Sequence, residues 1–161
     1  SEKSGADASR EDLFVGHRVI ITPHTSNDEA CVQIISDLWK AFGAEITEMS
    51  VSDHDHFLSA TSHLPHILAY ALVDMLCQGK AGEEVFEYAA GGFRDFTRIA
   101  GSDPVMWRDI SLANRDEVLR SIDNFTSHLG SIRFAIDQND SSTLYDIYSH
   151  AKRARDTFGK N

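Results

Sequence analysis

A chain of 161 residues is long enough for one ordinary core, or for a small domain with a piece of another. Its 15 basic and 25 acidic residues leave a formal net charge of −10, which repels nucleic-acid backbones and anionic membrane surfaces, so any anion site has to be local. No apolar run approaches the roughly 18 residues of a membrane helix, and the polar start Ser1-Glu2-Lys3-Ser4-Gly5 lacks secretion-signal character, so neither a nucleic-acid nor a membrane partner is expected.

Arg18 to Thr22 form a β-branched apolar run closed by Pro23, which predicts a strand. Asn27 to Phe42 then carries Ala30, Ile34, Ile35, Leu38, Trp39 and Phe42 at helical spacing, with Thr25, Ser26 or Asn27 available as cap and Gly43 as stop. Glu45 to Met49 returns to strand-like alternation, completing a βαβ unit. Two parallel strands and one helix cannot cover both sheet faces, so the first fifty residues read as the tail of a larger sheet domain. Cys31 and Cys77 sit in apolar helical patterns without metal-type spacing, which predicts reduced, buried thiols in a cytoplasmic protein.

From Ser52 onward the pattern is helical. A segment from about Asp53 to Cys77 is interrupted by Pro65, which removes a backbone donor and crowds the Thr61 carbonyl, placing a kink among the histidines. A shorter helix is predicted from Glu83 to Tyr88, and the pair Gly91-Gly92 opens a helix with Arg94 and Arg98 four residues apart on one face. Ser102-Asp103-Pro104 caps a last, long helix whose Leu119, Ile122, Phe125, Leu129, Ile132 and Ile136 form a narrow seam of the helix-interface type. Asn139 to Ser142 breaks it, and Leu144, Ile147, Tyr148, Ala151 and Phe158 mark a final amphipathic helix.

His24, His54, His56, His63 and His66 invite a metal reading, yet no Cys joins them and the metalloprotease pair four apart is missing, so no metal is expected. His24 and His56 read as surface or capping residues, whereas a proline kink beside His63 and His66 can open a pocket. Asp53 and Asp55 point to different sides of a helix and read as capping and solvated. Arg94, Asp95 and Arg98 have a plain reading as a solvated helix face; the glycine pair beside them favours close approach of backbone or ligand, where two guanidinium forks suit a dicarboxylate. Trp107 reads as core, or as an apolar wall for a ring. No G-x-G-x-x-G run occurs, so the phosphate-gripping turn of a dinucleotide domain is missing from this chain.

The string His54-Asp55, Ser62-His63-Leu64-Pro65-His66, Gly91 to Arg98 and Ser102-Asp103-Pro104-Val105-Met106-Trp107 resembles the C-terminal portion of the prephenate and arogenate (cyclohexadienyl) dehydrogenases. The resemblance implies a mainly α chain: an all-helical substrate-binding and dimerisation domain over 53–161, preceded over 1–52 by a βαβ remnant of a Rossmann-type α/β domain. It further implies NAD(P)-dependent oxidative decarboxylation of prephenate to 4-hydroxyphenylpyruvate, or of arogenate to tyrosine, in an enzyme that dimerises through its helical part. By that resemblance Arg98 binds a substrate carboxylate, His66 hydrogen-bonds the substrate, Arg94 and Asp95 shape the entrance, His54 and His63 line it, and Trp107 comes from the partner subunit. Ser1 would stand just after the family's His-Pro-x-Ala-Gly motif, whose catalytic histidine lies upstream of it. The chain is therefore expected to be a fragment, inactive by itself, with the NAD or NADP loop absent. A non-catalytic helical dimerisation module is the alternative reading.

Overall fold

In a computed structural model the described residues are 9–79 and 82–158. Two compact units are distinguished, Ser1–Val118 and Leu119–Asn161.

The first unit begins with β1 (Arg18–Ile21), α1 (Glu29–Ala41) and β2 (Glu45–Glu48). The strands pair in parallel, with Arg18 opposite Glu45 and Ile21 opposite Glu48, as expected of a βαβ unit. Asp28, rather than Thr25, Ser26 or Asn27, caps α1 by accepting from the Ala30 N–H at 2.8 Å; Asn27 Oδ1 is already taken by the His24 N–H at 2.7 Å. Gly43 ends the helix at φ 83°, and a Cβ there would lie 3.0 Å from Val15 Cγ2, so the turn back to β2 needs glycine. Phe14 packs edge-on against Trp39 beneath this turn, with centroids 4.8 Å apart. Cys31 is exposed, as are Ile34, Ile35 and Leu38, because two strands are too narrow to cover the apolar stripe of α1. Cys77 is exposed as well, at the last turn of its helix, so neither thiol is buried.

The predicted helix over 53–77 is three pieces: α2 (Val51–Leu58), a π-helical turn (Ser59–His63) and α3 (Leu64–Cys77). Ser50 starts α2 by accepting from the Asp53 N–H at 3.0 Å while its hydroxyl donates to Asp53 Oδ2 at 2.7 Å. Pro65 lies in the first turn of α3 and has no N–H to give; the chain accommodates it by widening, the Leu64 N–H reaching back five residues to the Ser59 carbonyl. The hydroxyls of Ser59 and Thr61 fold back onto the carbonyls of His56 and Phe57, each at 2.7 Å. The irregularity expected from Pro65 is thus a π turn rather than a simple bend.

Beyond it, a 3₁₀ segment (Gly82–Tyr88), α4 (Gly91–Thr97) and a second 3₁₀ segment (Arg98–Gly101) all pack on α3. The first of these is tighter than the α-helix expected there. Asp103 caps α5 (Pro104–Ala113), accepting from Val105 N–H at 2.7 Å and Met106 N–H at 3.3 Å, and Pro104 occupies the first helical position. The single long helix expected from Pro104 onward is broken at Asn114 (φ −104°, ψ 37°), after which α6 (Arg115–Asp137) begins. The division between the two units falls within α6. Asn139 at φ 51° ends the break after α6, and α7 (Ser141–Phe158) follows. Ala69, Trp107 and Val118 are buried in the first unit and Ala135 in the second, whereas Leu119, Leu129 and Ile136 of the expected seam are exposed in the single chain. Among the described residues no helix is long and apolar enough to cross a membrane.

Candidate active site around the π turn

The π turn places His63 at its end and His66 one turn later, at the start of α3, and α5 lays Trp107 across them. His66 stacks on the indole with centroids 3.6 Å apart and planes 19° from parallel, while His63 meets it edge-on at 6.2 Å. Trp107, 8% exposed, is therefore packed within its own chain, and its Nε1 is buried with no hydrogen-bond partner among the described residues. A cavity of about 240 Å³ opens beside the indole, walled by Ile67, Tyr70, Pro104, Arg108 and Ser111. Tyr70 fixes one wall by donating its hydroxyl to the Ser102 carbonyl at 2.7 Å.

Ring orientation follows from what each imidazole faces. His66 Nδ1 lies 2.9 Å from the Ser62 carbonyl, four residues back, so the π turn also presents this ring with an acceptor. His63 Nδ1 lies 3.2 Å from Asn114 Nδ2, which also donates to the Asp55 carbonyl at 2.8 Å. His54 Nδ1 lies 2.9 Å from Asp55 Oδ1. His63 is 8% exposed, and burial holds its pKa below the ordinary histidine value; the nearby His54 and His66 push the same way and Asp55 opposes them. The cluster therefore holds a neutral His63 at pH 7, with Asp55 the carboxylate nearest to it among these groups.

Of the residues singled out in the sequence, His54, His63, His66 and Trp107 come together here. Arg94, Asp95 and Arg98 are exposed on the segments that pack against α3; Arg94 Nε donates to the Ala89 carbonyl at 3.3 Å. A Cβ at Gly91 or Gly92 would meet nothing within 4 Å, so crowding by this chain's own backbone does not account for the glycine pair. Ser1 lies outside the described residues. His24 bonds locally to Ser26 at 2.9 Å and His56 faces Glu117 at 3.2 Å, both apart from the cluster's hydrogen bonds. Asp53 is exposed as expected but does not cap α2, since Ser50 does so and the Asp53 carboxylate only accepts the Ser50 hydroxyl; Asp55 is half-buried and engaged through both its carboxylate and its carbonyl rather than solvated. Asn114 escaped sequence reasoning because its role depends on a helix break that the apolar seam disguises. The one available signal was an asparagine, a residue suited to helix ends, just before the acidic first turn Asp116-Glu117.

Among the described residues the βαβ unit offers no dinucleotide cradle. The space at the C-terminal end of β1 and β2 is bordered by His24, Thr25, Asn27, Glu29 and Glu48, with two carboxylates and no glycine, which does not suit a pyrophosphate.

Residues 50–150 match the family profile described as prephenate dehydrogenase, dimerization domain, and residues 1–48 match the one described as prephenate dehydrogenase, nucleotide-binding domain. The chain is 38% identical to the cyclohexadienyl dehydrogenase of Zymomonas mobilis over 96% of its length and 54% of that protein's. It is 40% identical to the prephenate dehydrogenase of Bacillus subtilis over 97% of its length and 42% of that protein's. The crystal structure of prephenate dehydrogenase from A. aeolicus with hydroxyphenyl propionate and NAD+ superposes with a TM-score of 0.92 at 37% identity, covering 98% of this chain and 56% of that one. This chain spans about half the length of the curated relatives it matches. With a nucleotide-binding match preceding the helical one, a bare dimerisation module is not favoured, and the chain belongs to the prephenate dehydrogenase family.

Proposed function

We propose that this chain forms the substrate-binding and homodimerising part of an NAD(P)-dependent dehydrogenase that oxidatively decarboxylates prephenate to 4-hydroxyphenylpyruvate, or arogenate to tyrosine. The observation that carries the reading is the packing of two histidines and a tryptophan around a π turn, with an arginine-bearing segment on the same helix. In this reading residues 1–52 belong to the nucleotide-binding domain and 53–161 to the helical one. Arg98 receives a carboxylate of the substrate, and Arg94 and Asp95 border the entrance. His66 hydrogen-bonds the substrate, His63 and His54 line the pocket, and Trp107 supplies its apolar wall. Ser1 is assigned to substrate binding in the same reading. A nicotinamide cofactor, NAD or NADP, would supply the hydride acceptor when bound, and the described residues offer no phosphate cradle for it. The exposed Leu119, Leu129 and Ile136 suit the interface of the homodimer.

Calorimetric titration of prephenate into the chain tests the proposal, with Arg98→Ala as control at low and moderate salt. Saturable binding that the variant loses is the expected result. Binding by neither protein, or equal binding by both, would refute the assignment of Arg98. Turnover of prephenate with NAD or NADP by the 161-residue chain alone would refute the division of labour.

A further inference from the structure

His63 and His66 stand one turn apart, yet their surroundings hold them in opposite proton tautomers. The Asp55 carbonyl only accepts, so the Asn114 atom 2.8 Å from it is the amide nitrogen. That nitrogen has only protons to offer, and it lies 3.2 Å from His63 Nδ1, which must then be the bare, accepting nitrogen. The neutral His63 ring carries its proton on Nε2. His66 is the reverse: its Nδ1 faces the Ser62 carbonyl at 2.9 Å, so Nδ1 bears the proton and Nε2 presents a lone pair.

We infer that Asn114 is a positioning residue: by fixing His63 as the Nε2–H tautomer beside the Nδ1–H tautomer of His66, it gives the pocket one imidazole donor and one imidazole acceptor for the substrate. What the two rings recognise rests on the function proposed above; the tautomers do not. Without the amide, His63 would be free to move its proton to Nδ1, and both rings would then present lone pairs, which repel a carboxylate-rich ligand. The groups facing His63 are His54 and Asp55 from α2, His66 from α3 and the Asn114 amide from the α5–α6 junction. Burial of His63 keeps the neutral ring, and hence the tautomer choice, relevant at pH 7.

The test needs no ligand. Long-range ¹H–¹⁵N spectra of the labelled chain at pH 8, assigned with His63→Gln, are expected to show His63 protonated at Nε2 and His66 at Nδ1. Asn114→Asp replaces the donor with an acceptor; the His63 proton should move to Nδ1 and its titration midpoint should rise by about one pH unit. A wild-type His63 protonated at Nδ1 would overturn the inference even if Asn114→Asp failed to fold, as would an unchanged tautomer in folded Asn114→Asp. In calorimetry, folded Asn114→Asp should bind prephenate at least about tenfold more weakly, and equal affinity would overturn the positioning role. Absence of binding by the wild-type chain would instead count against the pocket assignment, while the spectra still decide the tautomers.

Discussion

Replacing Trp107 separates two contributions to the site's stability. The indole is 8% exposed, stacks on His66 at a centroid distance of 3.6 Å, and buries an Nε1 proton with no partner among the described residues. Trp107→Ala removes both rings and leaves a cavity, a change that costs about 3–5 kcal/mol. Loss of the ring pair accounts for about 0.5–1.5 kcal/mol of that. Trp107→Phe keeps a six-membered ring over His66 and deletes an N–H whose unsatisfied burial costs about 1–3 kcal/mol. That relief offsets much of the lost contact, so the expected net cost is about 1 kcal/mol or less. Urea unfolding followed by far-UV circular dichroism measures both variants, at one fixed protein concentration because association shifts the midpoint. At roughly 2–4 °C per kcal/mol for a chain of this size, the alanine variant should also melt roughly 10 °C lower. Equal losses for Phe and Ala would refute the reasoning, since they would mean that Nε1 makes a bond worth keeping.

Three further outcomes are expected. Because the folded pKa of His63 is depressed, the unfolded state binds its proton first as pH falls; stability should be full above the ordinary histidine value near 6.5 and decline below it, and His63→Gln should flatten that decline in urea midpoints measured from pH 8 to 5. Asp140 accepts from the Thr143 N–H at 3.0 Å, the Thr143 hydroxyl at 2.7 Å and the Ser142 hydroxyl at 2.8 Å, which lowers its pKa to about 2; Asp140→Ala should fray the start of α7, seen as faster amide exchange over 141–144, and wild-type protection there should persist down to pH 4 and fade toward pH 2, with unchanged exchange in the variant counting against a capping role. Leu129, 51% exposed, should be covered in the homodimer, so Leu129→Asp should shift sedimentation toward the monomer while leaving helicity intact, and an unaltered dimer would remove α6 from the interface.

The elements most legible in the sequence were those whose causes are local. Val19, Ile20 and Ile21 make a strand, Gly43 is needed where φ is 83°, and Asp103-Pro104 starts a helix in any context. Pro65 announced a disturbance among the histidines, but whether the chain bends or widens depends on the Leu64 N–H finding the Ser59 carbonyl, which only the packed backbone reveals. The break at Asn114 was invisible for a different reason. Its amide is tied to Asp55, 59 residues away, and the apolar spacing runs on into α6 regardless. The site was legible as a set of residue types, not as a wiring: His63, His66 and Trp107 stood out, whereas Asp55 and Asn114, which orient them, have partners distant in sequence or a geometry set by the turn. The exposed cysteines show the limit of reading burial from periodicity, since an apolar stripe is buried only where something lies against it.

A π turn is what an α-helix becomes when it must absorb one residue too many. Each residue of an α-helix advances the chain by about 100° of rotation, so the extra residue within Ser59–His63 turns α2 by about that angle relative to where a continuous helix would have left it. His54 and Asp55 owe their approach to His63, and Asp55 its reach to Asn114, to that rotation. Deleting a single residue such as Ala60 would straighten the helix and swing the acidic half of the cluster away from the aromatic half, although no side chain of the site would have been touched.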